Sequence, residues 1–227
     1  MIAPVEYLFP ALKALALVPV TLLPIINPLS TAPVFVGTAG GDRVVSKRLA
    51  RQVALNSWVV MVSAMLIGTY VLDFFGISLP IVRIGGGLLV ASTGWRMIHA
   101  DENDKVKAAA SERTGSLSNA EIMQRSFFPI TFPLTTGPGT IAASITLGAK
   151  LPEKPALYVV GSAVAAVGAA VTAVVLYFVF RHAAALLGKL GEVGTLVMTR
   201  LLAFILLCVG VEFIWTGWAE LNHLSKP

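Results

Sequence analysis

The sequence predicts an all-α polytopic membrane protein. Six transmembrane helices form two inverted three-helix repeats, with the first and fourth helices broken. Three observations predict this. The 227 residues are 56% hydrophobic and 13% charged, with mean hydropathy +0.81, whereas a soluble domain is about one quarter charged. Four charge-free runs, 14–41, 52–72, 126–149 and 155–180, each exceed the ~20 residues that a helix needs to cross a bilayer. A proline-rich decamer occurs twice, once in the first run and once in the third.

The first span would be about 42 Å long as a single helix, and it contains PIINPLSTAP at 24–33. Proline removes a backbone donor and clashes with the preceding turn, and the residue before it avoids the helical region. Pro28 is therefore expected to end a first half-helix, with Thr31 or Ala32 capping a second and Pro33 at its first position. The second span is 52–72. The third, around 79–98, carries Arg83 and Arg96. The fourth, 126–149, holds PITFPLTTGP at 129–138: Pro133 stops a half-helix, Thr136 or Gly137 caps the next and Pro138 restarts it. The fifth, 155–180, has Gly161, Ala165, Ala169 and Ala173 at i+4 spacing, a small-residue face of the kind that packs membrane helices. The sixth, 193–219, is interrupted by Arg200 and Glu212 and holds the single Cys208, which leaves no intramolecular disulfide.

The two decamers align without a gap at an offset of 105, with Pro24/Pro129, Ile25/Ile130, Pro28/Pro133, Leu29/Leu134, Thr31/Thr136 and Pro33/Pro138 identical. The chain divides into a first three-helix repeat at 1–100, a polar cytoplasmic linker at 101–120 and a second repeat at 121–227. Three spans per half is an odd number, so the second half enters the membrane from the opposite face. That makes the repeat inverted, as in many secondary transporters. With six spans, twelve of the basic residues fall on one side and five on the other. The positive-inside rule makes the twelve cytoplasmic and puts both termini outside. The N-terminus lacks a basic leader region and a small-residue cleavage site, so no removable signal peptide is expected.

Irregular backbone at membrane depth persists only where it is buried or lines a cavity. Each break frees carbonyls before it and N–H groups after it, and the new helix N-terminus favours a carboxylate. Two such breaks suit a zwitterion. The candidate substrate-binding residues are Asn27, Pro28, Ser30, Thr31, Thr135, Thr136, Gly137, Gly139 and Thr140. The two glycines would let backbone approach a ligand. Glu212 is a candidate proton carrier or a partner of Arg83, with Asp73 competing for that arginine; ionisable residues inside a membrane mark function by default. Gly85, Gly86 and Gly87 lack the lysine of a phosphate-binding loop. No acid–base set, nucleophile or metal-ligand cluster is present, so neither an enzyme nor a cofactor is expected. The net charge of +5 sets orientation in the bilayer and does not indicate nucleic acid.

INPLSTAP at 26–33, FGISLPIVRIGGGLL at 75–89 and PLTTGPGTI at 133–141 carry a resemblance. Over nearly its whole length the chain resembles the MarC family of bacterial inner-membrane proteins. The resemblance implies a secondary transporter of small neutral amino acids such as glycine and alanine, with proton coupling. It places the family's motif asparagine on Asn27 and its GPGT element on 137–140. An exporter of other small polar solutes and a non-transporting membrane subunit are the alternatives.

Overall fold

The structure is a computed structural model that describes residues 4–40, 42–99, 119–152 and 154–223. The expected linker, 101–120, lies outside these except for its last two residues. The described chain is helical: α1 (Pro4–Ile26), α2 (Pro28–Ala39), α3 (Arg43–Phe74), α4 (Leu79–His99) and α5 (Asn119–Arg125) come first. A widened helical segment, Ser126–Thr135, follows, and then α6 (Pro138–Gly148), α7 (Pro155–Arg181) and α8 (Ala183–Leu221).

Local chemistry sets the ends. The Asp42 carboxylate accepts from the backbone N–H groups of Val44 (2.7 Å) and Val45 (3.4 Å) and so caps α3. Gly191, at φ 65, interrupts α8, so its membrane-length part is Val193–Leu221. Among the described residues three helices are long and apolar enough to cross a bilayer: Arg43–Phe74, Pro155–Arg181 and Val193–Leu221. Leu15–Ile26 and Pro28–Ala39 form a bent pair, at 61°, that makes a fourth. The sequence expectation was six. The other two expected spans are α4, whose 21 residues include Arg83, Arg96 and His99, and 126–149, which divides into the widened segment and the 11-residue α6.

Helix α4 packs along α8. The contact is backbone to backbone because both faces are small. A Cβ at Gly87 would lie 2.6 Å from the Gly210 carbonyl oxygen, one at Gly94 2.7 Å from the Leu207 nitrogen, and one at Gly217 2.6 Å from the Pro80 carbonyl oxygen. Around this pair, α3 packs on α6 and α7, α1 on α7, α4 on α6, and α2 on α8. The Trp58 indole N–H donates to the Ala166 carbonyl at 3.0 Å, tying α3 to α7. Leu22, Phe35, Leu49, Val53, Met61, Leu176 and Phe180 form the core, with the rings of Phe35 and Phe180 stacked 4.9 Å apart. On α7, Ala169 and Ala173 of the expected small-residue face are buried, and a Cβ on neighbouring Gly168 would come within 2.8 Å of the Val18 Cβ.

These contacts distinguish two glycines, Gly210 of α8 and Gly85 of α4. Gly210→Ala adds a methyl against the backbone of Ala91, whereas Gly85→Ala adds one with nothing within 4 Å. Overpacking costs about 1–3 kcal/mol. Thermal unfolding of the purified protein in detergent is expected to drop for Gly210→Ala and to hold for Gly85→Ala; equal behaviour would contradict the α4–α8 contact.

Candidate functional site

The first break falls at Asn27. α1 ends at Ile26, Asn27 takes the left-handed conformation at φ 45 and ψ 64, and α2 begins with Pro28 in its first turn. This corrects the expected cap at Thr31 or Ala32 and the expected start at Pro33, which lies inside α2. The reason is local. A residue before proline is pushed out of the right-handed helical region, and asparagine tolerates the left-handed one better than most residues. The Ser30 N–H and hydroxyl both donate to the Asn27 carbonyl, at 3.1 and 2.8 Å. Asn27 is only 4% exposed, and neither its Oδ1 nor its Nδ2 has a hydrogen-bond partner among the described residues. Thr31 is buried beside it, and Pro28 is half-buried.

The second break is built differently. Phe128 and Phe132 leave the helical region, each preceding a cis proline, and the segment is wound wide. Hydroxyls bind it. Thr131, Thr135, Thr136 and Thr140 each donate to the carbonyl five residues back, at 2.7, 2.7, 3.0 and 3.3 Å. All four are buried. α6 then starts at Pro138, as the sequence predicts, with Gly137, one of the two expected caps, as its N-cap; the stop expected at Pro133 is not seen, because the widened segment runs on to Thr135. Gly137 is extended, at φ −70; it is glycine because a Cβ would come 2.5 Å from the Pro133 carbonyl oxygen. Gly139 packs against neighbouring side chains: a Cβ there would lie 2.5 Å from Val90 Cγ2 and 3.8 Å from Ile25 Cγ2. Its small size admits α4 and α1 rather than clearing space for a ligand.

The two breaks lie together. α2 packs on Ser126–Thr135 and α1 on α6, and Gly139 and Ile25, two residues from their respective breaks, are neighbours. A polar relay that the sequence reading missed reaches the second break from α3. The Gln52 amide donates to Asn56 Oδ1 at 3.1 Å, Asn56 Nδ2 donates to Ser126 Oγ at 3.4 Å, and Ser126 Oγ donates to the Met123 carbonyl at 2.8 Å. Its signal was Gln52 and Asn56 one turn apart in a charge-free span.

The intramembrane charges pair otherwise than expected. Arg83 forms its ion pair with Glu220, a residue that the sequence reading placed beyond the last span. Glu212 accepts from the Thr216 hydroxyl at 3.3 Å, and Asp73 is exposed at the C-terminal end of α3. Glu220 lies eight residues, about two helical turns, beyond Glu212 on α8. Arg83 and Glu212 still meet at a cavity of about 190 Å³, whose wall also includes Thr21, Thr146, Lys150 and Thr216.

The chain matches the MarC family, described as MarC family integral membrane protein, over residues 12–221. It is 33% identical over 216 residues to the inner membrane protein MarC of Salmonella typhimurium, covering 92% of this chain and 96% of that protein. It is 33% identical over 217 residues to the inner membrane protein MarC of Escherichia coli O157:H7, covering 93% and 98%. No solved structure matches.

The hydroxyl ladder makes a testable distinction. Thr135→Val removes a fully buried donor to the Ile130 carbonyl, whereas Ser92→Ala removes an exposed one to the Leu89 carbonyl. A hydrogen bond contributes about 0.5–1.5 kcal/mol net. Thermal unfolding is expected to show that loss for Thr135→Val and almost none for Ser92→Ala. The reverse order would mean that the break is held by something else.

Proposed function

This chain belongs to the MarC family of integral membrane proteins, and we propose that it is a secondary transporter of small neutral amino acids, glycine and alanine, in the bacterial inner membrane. One observation carries this reading: Asn27 is buried at the N-terminus of a half-helix with its amide oxygen and nitrogen both unpartnered. A buried polar group without a partner costs about 1–3 kcal/mol. A zwitterion supplies both missing partners. Its carboxylate accepts from Nδ2 and lies at the positive end of α2, and its ammonium donates to Oδ1.

The neighbouring residues fit that ligand. Thr135, Thr136 and Thr140 have turned their hydrogens to backbone carbonyls, so each hydroxyl oxygen keeps lone pairs to accept from an ammonium. Ser30, Thr31 and Pro28 form the first turn of α2, and Gly137 and Gly139 begin α6. The packing supports two inverted halves. α3 lies on α6 as α1 lies on α7, while α4 with α8 and α3 with α7 pair across the middle. Exchanging the first span for the fourth, the second for the fifth and the third for the sixth preserves this pattern. In this reading α4 and 126–148 complete six crossings, both termini lie outside, and Glu212 carries the coupled proton. Alternating access is the rocking of the half-helices about Asn27 and Gly137.

Asn27→Gly separates function from fold. Glycine adopts φ 45 without strain, so thermal stability is expected to stay at the wild-type level. Loss of one bond to a charged group costs about 1.5–3 kcal/mol, so glycine affinity is expected to fall roughly ten- to a hundredfold. The measurement is proton-gradient-driven uptake of labelled glycine and alanine into proteoliposomes. Wild-type vesicles that accumulate neither, or an Asn27→Gly protein with unchanged affinity, would contradict the proposal.

A further inference from the structure

The charge-free middle of α3 is as long as a bilayer is thick. Residues 52–72 carry no charge and rise about 31 Å as helix, against ~30 Å of hydrocarbon. Arg51 therefore lies at one boundary of the hydrocarbon, with Lys47 and Arg43 about 6 and 12 Å beyond it. The three recur at every fourth residue, so they form one row on the helix surface, and all three are exposed. We propose that this row binds the headgroup of an anionic phospholipid, whose acyl chains lie along Leu55 and Val59 at the next two steps of the row. Binding there is independent of what the protein transports.

The row of cations continues as an apolar one. Leu55, Val59 and, farther along, Ile67 are exposed, whereas Val45, Leu49, Val53 and Met61 of the same helix are buried in the core. The exposed face is therefore the outer surface of the helix bundle, and cations above an apolar strip match a lipid laid along it. Direction agrees. Helical side chains tilt toward the N-terminus, which on α3 leads out of the hydrocarbon, so the long arm of Arg51 carries its guanidinium into the headgroup layer. Charge selects the headgroup. Among the described residues none of the three cations has an ion-pair partner, and the neighbouring Arg48 is already engaged. Asp42, the acid nearest in sequence, is committed to the N–H groups of Val44 and Val45. A phosphodiester of net negative charge meets three cations here, while the ammonium of a zwitterionic headgroup meets only like charge in the row. Orientation in the membrane requires a sum of basic residues on one side. A row at helical spacing that runs into an exposed apolar strip goes beyond that sum.

Native mass spectrometry of the purified protein, titrated with phosphatidylglycerol and phosphatidylcholine of identical chains, measures the preference of the first lipid bound. The wild-type protein is expected to hold phosphatidylglycerol more tightly. Each cation near an anionic lipid contributes roughly fivefold, so the Arg43→Gln/Lys47→Gln/Arg51→Gln variant is expected to lose about a hundredfold of that preference. Arg51→Gln alone, with a loss of roughly fivefold, is the variant to read should the triple one fail to fold. A second triple variant, Arg96→Gln/Lys189→Gln/Arg200→Gln, removes the same charge from exposed positions elsewhere and is expected to keep the preference. Glycerol phosphate supplies a headgroup without chains, and at the same concentration it is expected to displace almost no phosphatidylglycerol. Equal binding of the two lipids by the wild type, or equal losses in the two triple variants, would overturn the site. Displacement by glycerol phosphate would overturn it as well, in favour of a site for soluble phosphates.

Discussion

Backbone polar groups inside a bilayer have no water to turn to, and this protein interrupts two of its apolar, charge-free runs. Each interruption must be compensated, and the two are compensated by different means. At the first, one residue absorbs the whole change of direction: Asn27 goes left-handed, its carbonyl receives both donors of Ser30, and α2 restarts at once. At the second, ten residues are wound wide and threonine hydroxyls stitch the turns together at five-residue spacing. Among the described residues, the buried side-chain atoms left without a partner at the breaks are those of Asn27, and the functional reading grows from that remainder.

The rest of the fold holds the breaks against each other. Glycines bring α4 and α8 into backbone contact, which fixes a rigid pair without long side chains between. α4 in turn presents Val90 to Gly139 at the start of α6, so the small residues of one contact set the position of the next. Pairing of α3 with α7 through Trp58 and the stacked Phe35 and Phe180 closes the other side. In a bilayer, where lipid is as apolar as leucine, close packing of this kind is what drives helices together. The large apolar side chains that remain exposed, such as Val59, Ile67, Phe178 and Phe204, suit contact with lipid tails.

Much of this was legible in the sequence. The charge-free runs gave the helical membrane class, and the motifs gave the family. At the second break the restart at Pro138 was readable, with Thr136 or Gly137 as its cap, but the stop expected at Pro133 was not, because the widened segment runs on to Thr135. The first was misplaced by several residues: three prolines compete there, and only the tolerance of asparagine for positive φ decides among them. The partner of Arg83 was missed because sequence spacing does not say which of two carboxylates two turns apart on α8 faces α4. Gly139 was read as clearance for a ligand, whereas the neighbour it admits is Val90, and no periodicity reports a contact between helices so far apart in the chain. By length and apolarity alone, the described residues give four spans at most rather than the expected six, since α4 and the segment around α6 are diluted by charge and proline.

The central claim is that a zwitterion lies at Asn27 and completes its hydrogen bonds. Solid-state NMR tests it most directly, on membranes containing the protein with 15N-labelled asparagine and saturating 13C-labelled glycine. The account predicts a dipolar contact between the glycine carboxylate carbon and the Asn27 side-chain nitrogen, assigned by its loss in Asn27→Gly. Bound glycine without that contact would contradict it.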